Sequence, residues 1–195
     1  MRSFKRIQNR AFTLVELMIV VAIVAVLAVL AGYGVYRYLR AAKTTEAREA
    51  LGRIAKDASS AYDRDSMAGT TMPLGGTRGG SNQLCPNAGN TVPPAGLGDI
   101  RGLSYQSDPD DWADNAGWTC LRFAMKDPQR YMYNYQMNGV NGSTVGDQFV
   151  ATANGDLNGD DIISTFTLGG VIQQGSSGTL VLTIHPNIIE TDPEE

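Results

Sequence analysis

Few residues of this chain have the types and spacing for chemistry, and each group points to a different kind. Glu16 is the one carboxylate in the otherwise apolar run 11–26, AFTLVELMIVVAIVAV. An acid at the centre of a bilayer costs roughly 2.5 to 3.5 kcal/mol and less near the interface, so such a residue needs a use. Cys85 and Cys120 are the only cysteines and fit no zinc spacing. Outside the cytoplasm they would form a disulfide worth about 3 to 4 kcal/mol in the chain-entropy model; free buried thiols are the alternative. In NGDLNGDDIIS, Asp156, Asn158 and Asp160 stand two apart with Asp161 next, a spacing of oxygen ligands that suits Ca²⁺. The EF-hand template fails, because Asp161 holds its glycine position and Thr167 its bidentate glutamate. The competing reading is an Asn/Asp/Gly hairpin turn.

Catalysis finds little support. His185 is the only histidine and precedes Pro186, and there is no G-x-S-x-G elbow or His/Cys cluster. The glycines of GLGDIRG are misplaced for a dinucleotide fingerprint, no P-loop occurs, and these glycines read as turns.

The elements that carry these residues begin with a basic leader. Arg2, Lys5, Arg6 and Arg10 precede the apolar run, with no acid among the first eleven residues. Without them, twelve basic residues face twenty acidic ones, a net charge of −8 against −4 for the whole chain. An acidic body is a poor match for nucleic acid, so no nucleic-acid partner is expected. Every residue from 17 to 31 is Leu, Met, Ile, Val or Ala, and counting from Phe12 the run has about the twenty residues needed to span a bilayer. A buried core helix fits poorly behind a basic leader. An ordinary signal peptide cleaved after Val29-Leu30-Ala31 is the stronger rival, and Glu16 argues against it.

The residues Ala11-Phe12-Thr13-Leu14-Val15-Glu16, behind a basic leader and ahead of the apolar run, resemble the class III signal of type IV prepilins and secretion pseudopilins. The resemblance covers roughly residues 1 to 65. It implies that a prepilin peptidase removes leader 1–11 by cutting between Ala11 and Phe12, then N-methylates Phe12. Residues 12–36 would be a transmembrane and later filament-core helix, and 37–65 the amphipathic half of the same helix. Ala11 stands where the family usually has Gly, and Gly32 and Gly34 lie where it commonly has Pro. Glycine also loosens a helix, by about 1 kcal/mol each relative to Ala. The new ammonium on Phe12 would lie one turn from Glu16, so Glu16 of one subunit could meet the Phe12 amine of its neighbour. Such a buried pair is demanding about register more than strongly stabilising. The competing role for Glu16 is to offset its own helix dipole.

Beyond the apolar run, Ala47, Leu51, Ile54, Ala58 and Ala61 recur at three- and four-residue steps, with Lys43, Glu46, Arg48, Glu49, Arg53, Lys56 and Asp57 on the other side. A single helix to about Tyr62 would measure on the order of 75 Å. Residues 66–120 are rich in Gly, Pro, Asn, Ser and Thr and read as a long connecting loop tethered by the cysteines. Within it, DPDDWADNAGW places four acids around Trp112 and Trp118 and reads as an acidic, solvated loop, with an exposed adhesive loop as the alternative. Strands are expected at 131–136, 149–153, 162–168 and 179–184, forming an antiparallel sheet region over 121–195.

The expected fold is therefore α+β and type IV pilin-like: a long N-terminal helix, membrane-spanning in its first half, packed against a C-terminal antiparallel sheet. The expected function is that of a structural subunit of a type IV pilus, major or minor, with a type II secretion pseudopilin as the alternative. A membrane-anchored calcium-dependent adhesin or periplasmic enzyme ranks below both. No cofactor is required, Ca²⁺ being the one candidate. The implied partners are other copies of the chain or related subunits, the prepilin peptidase, the inner-membrane assembly platform and the membrane itself. The chain would sit in the inner membrane as a single-pass protein with its N-terminus cytoplasmic, and afterwards in an extracellular pilus or periplasmic filament.

Overall fold

The computed structural model describes residues 12–64, 82–176 and 178–193. Leader residues 1–11, Ala11 among them, and residues 65–81 of the connecting loop lie outside the described residues. The chain divides into two units, Met1–Leu39 and Arg40–Glu195.

Helix α1, Leu14–Tyr62, begins in the first unit and ends in the second. In the first unit the large apolar side chains from Phe12 to Leu39 are all at least 52% exposed. They occur on every side of the helix, so no amphipathic stripe forms, as for a helix surrounded by apolar neighbours. The helix is long and apolar enough to cross a membrane, with a mean hydropathy of 3.1 in its most apolar window. It runs unbroken through Gly32 and Gly34.

In the second unit α1 does form a stripe. Ala47, Leu51, Ile54, Ala58 and Ala61, the residues expected from spacing, are buried, and Ala50, Ala55 and Tyr62 join them. Small residues here leave room for the rings of an antiparallel sheet. That sheet runs β3 (Met132–Asn138), β4 (Gln148–Gly155), β5 (Ser164–Gln174) and β6 (Leu180–Ile184), and β7 (Ile189–Thr191) pairs the start of β5. Alternation puts Tyr133 and Tyr135 of β3, Phe149, Ala151 and Ala153 of β4, and Phe166 and Leu168 of β5 in the same hydrophobic core as the α1 stripe. Tyr135 stacks on Phe149, and Tyr131 meets Phe166 edge-on.

Three details differ from the sequence expectation. Strand β5 starts after Ile162 and Ile163 and continues through Gly169 and Gly170 to Gln174. These two glycines are close-approach residues: a Cβ on Gly169 would lie 2.8 Å from the Phe149 carbonyl, and one on Gly170 2.7 Å from the Phe149 ring. Strand β7 is too short and too exposed to announce itself in the pattern. The acidic tryptophan segment is not a solvated loop. It folds as α2 (Pro109–Ala113) and α3 (Ala116–Leu121), each started by a side-chain cap, Asp108 accepting from the Asp110 N–H and Asn115 from the Gly117 N–H. Trp112 and Trp118 are buried with ring centroids 5.0 Å apart, and the Trp112 indole donates to Ser107. The acids stay outside while the tryptophans turn in.

Upstream, the chain forms a single-turn 3-10 helix, Leu97–Asp99, and β1 (Tyr105–Gln106) pairs with β2 (Pro128–Gln129) in a small separate ribbon. The segment around Leu84 to Val92 covers the open edge of β3: Ala88 N–H donates to the Tyr135 carbonyl, and Val92 and Tyr133 exchange two backbone bonds. A Cys85–Cys120 disulfide fixes this cover to α3. An edge strand protected in this way has no free ladder for stray pairing.

Candidate assembly site and the buried carboxylates

Phe12 is 84% exposed and stands just before the helix. Thr13 follows as the capping residue. Its backbone N–H and its hydroxyl both donate to Oε2 of Glu16, at 2.9 and 2.8 Å, and the Glu16 N–H returns a bond of 3.3 Å to the Thr13 hydroxyl. This is a capping box, which satisfies backbone donors left open at a helix start. The T-x-x-E spacing that announces it is present in the sequence. The bonds to Thr13 use Oε2, which leaves Oε1 with its lone pairs for another donor. The acid is thus held at the very start of the apolar helix, bonded to Thr13, the residue that follows Phe12.

The cysteines form the expected bond, with Cα atoms 5.7 Å apart and 35 residues between them in sequence.

The four candidate calcium residues do share one turn, but their oxygens face N–H groups. Asp156 is buried and accepts from the backbone N–H groups of Gly159, Asp160 and Asp161, while Arg101 donates its Nε–H at 3.2 Å. Arg101 also pairs with Asp161. Asn158 and Asp160 bond each other and the local backbone. The Asp156 carboxylate therefore organises the turn and is neutralised by an arginine. Among the described residues no three His, Cys, Asp or Glu are grouped to hold a metal ion. His185 is exposed at the end of β6, its N–H donating to the Gly169 carbonyl.

A second buried carboxylate went unread in the sequence. Asp147 accepts from the N–H groups of Val140, Asn141, Ser143 and Thr144, which shape the β3–β4 loop. These bonds favour its ionised form and hold its carboxyl far below the usual range. Asp147 and Asp156 stand immediately before and after β4, so each end of that central strand carries a carboxylate that fixes the adjoining loop. No motif marks Asp147; its partners are defined only once the loop folds back.

Glu46, placed on the polar side of α1 by spacing, instead reaches the sheet. It accepts from the Arg130 N–H at 2.8 Å and the Tyr133 hydroxyl at 3.3 Å, and its other oxygen lies 3.5 Å from the Arg130 guanidinium. Burial raises its pKa against these bonds. Burial also pushes the Tyr131 hydroxyl up to about 12. Nearby, Arg48 grips Glu190 of β7 through two N–H donors at 2.7 and 2.9 Å.

Residues 6–32 match the family model for the prokaryotic N-terminal methylation motif. No curated protein and no solved structure matches the chain. The match covers the processing site, the capping box and most of the exposed apolar helix, and the chain therefore bears a class III signal, the hallmark of the type IV pilin and pseudopilin family.

Proposed function

We propose that the chain is a structural subunit of a type IV pilus, major or minor, assembled from the inner membrane through its N-terminal helix after leader cleavage. The observation that carries this reading is the conjunction of the methylation motif at 6–32 with a helix whose large apolar side chains from Phe12 to Leu39 are all more than half exposed. Apolar surface on that scale is removed from water only by lipid or by other copies. The two settings follow in time: a single pass through the membrane with a cytoplasmic leader, then a filament core made of the same helices.

The prepilin peptidase would hydrolyse the Ala11–Phe12 peptide bond and transfer a methyl group to the freed Phe12 amine. Glu16 then has two duties. Toward its own chain it caps the helix through Oε2, and toward the neighbour it offers Oε1 to the Phe12 ammonium. A subunit one turn out of register would leave both charges unpaired in a low-dielectric bundle. The role is structural, without a catalytic step of its own. The reading does not require calcium, and the N–H donors and Arg101 around Asp156 support a turn-organising role for that carboxylate. A secretion pseudopilin would use the same leader, helix and Glu16, and the destination of the filament separates the two.

Glu16→Ala tests the reading. In cells making the full chain, membrane insertion and leader removal should persist while filament yield falls by about tenfold or more, since each junction loses a charge pair. Normal filament yield from that variant would remove Glu16 from assembly.

A further inference from the structure

Arg122 occupies a backbone conformation that arginine rarely adopts. It follows α3 with φ 61° and ψ 32°, in the left-handed region where glycine is the usual residue after a helix. Its side chain is exposed, and among the described residues its guanidinium has no partner. A strained non-glycine residue points to a use for its side chain. That side chain lines an open cavity of about 560 Å³ between the end of α1, α3 and β3, together with Arg64, Thr119, Leu84 and Met137. Arg64 spends one N–H on the Cys120 carbonyl, which holds its guanidinium at the rim. Arg53, over the Phe123 ring at 5.1 Å, and exposed Lys56 extend the basic strip along α1, interrupted by Asp57 and exposed Asp63.

This strip is the exception on a body that carries a net charge of −8 without its leader. The opposite exception lies close by in sequence. Residues 108–114 contain four aspartates and no base, and Asp110 and Asp114 are exposed with no basic partner among the described residues. The basic cavity and the acidic α2 corner thus complement each other in charge while no ion pair joins them within the described chain.

We infer that the Arg64–Arg122 cavity is a socket for the acidic α2 corner of a second copy. This rests on the filament-subunit reading, which brings copies of the body side by side. Each copy carries one socket and one corner, so a head-to-tail contact of this kind can repeat from copy to copy along an assembly. The body's overall negative charge repels nucleic acid and favours a partner that presents its carboxylates at one matched point. Specificity follows as well, because a socket meeting a socket sets like charges together.

The test uses the full chain in cells that assemble it, with sheared filament yield measured against total subunit and with the Cys85–Cys120 disulfide checked on non-reducing gels. Arg122→Gly is the informative single variant, since glycine suits the backbone and removes only the side chain. It should keep wild-type subunit level and disulfide while filament yield falls about fivefold or more. Arg122→Asp should fall further. Arg122→Asp combined with Asp110→Arg and Asp114→Arg should recover at least half of the wild-type yield. Wild-type assembly by Arg122→Gly and Arg122→Asp would overturn the inference, and so would a loss that the charge swap does not recover. Filaments from the wild type show that the subunit reading stands whichever way the variants behave; their absence, with a mature chain not starting at Phe12, would overturn that reading and this inference with it.

Discussion

Between Leu14 and Leu39, α1 is built mainly of Leu, Ile, Val, Met and Ala, with its large apolar side chains more than half exposed. Between Thr44 and Tyr62 the same helix turns one face of mostly Ala residues inward, each less than a tenth exposed. The difference identifies the surroundings of each part. Bulky aliphatics on every side suit apolar neighbours on every side, whether acyl chains or other helices. A stripe of small residues suits one fixed partner, here the rings of Tyr131, Tyr133, Tyr135 and Phe149, which fill the volume the alanines leave. One element thus carries two packing codes, and the body's stability depends on only the second.

That contrast is open to direct attack in the full chain in detergent micelles, followed by urea unfolding. Phe149→Ala removes a fully buried ring and should lower stability by about 3 to 5 kcal/mol, whereas Ile23→Ala should change it by less than about 0.5 kcal/mol. A large loss from Ile23→Ala would mean that the first half packs within its own chain. Next in size, reducing the Cys85–Cys120 disulfide should cost about 2 to 4 kcal/mol, because it frees the cover over β3 from α3. An unchanged urea midpoint after complete reduction would show that the backbone bonds hold that cover unaided.

Acid sharpens the comparison within the body. Asp147 has a folded pKa below its unfolded value, so its contribution is present above the ordinary carboxylate range and is lost as pH falls below about 4. Glu46 works in the opposite sense: its folded pKa is raised, so its contribution is greatest at low pH and fades as pH climbs through that raised value. Asp147→Asn should therefore flatten the acid limb of the stability–pH curve, and Glu46→Gln should steepen it. The reverse pattern would show that the two carboxylates are misassigned. The most local effect belongs to Thr13→Ala, which removes a cap worth about 1 kcal/mol and should speed amide exchange only in the first turn of α1. Faster exchange throughout the body would contradict a purely local role.

Much of this was legible in residue order. The α1 stripe and four strands follow from spacing, because period and alternation report local geometry directly, while the disulfide follows from there being two cysteines in a body read as lying outside the cytoplasm. What escaped depends on which competing local signal wins. DPDDWADNAGW carries an Asp cap followed by Pro at the first helical position, and an Asn cap before AGW, yet its acid density outweighed both. Its tryptophans are buried because short capped helices put acids and rings on different sides. Gly169 and Gly170 fall beyond the strand expected over 162–168, and the crowding that demands glycine there comes from Phe149, in the preceding strand. The spacing of Asp156, Asn158 and Asp160 serves ligands and Asx-type turns alike, and only Arg101, from a distant loop, shows what balances Asp156. Thr13 and Glu16 spell out a capping box, but the pairing proposed for Glu16 needs a neighbouring chain.

The central claim is that the first segment is an assembly helix uncovered by cleavage of a class III leader. Mass spectrometry of the mature chain tests it most directly. The expected result is an N-terminus at Phe12 carrying a single methyl group. A mature chain beginning at Gly32, or retaining residues 1–11 in the assembled material, would contradict it.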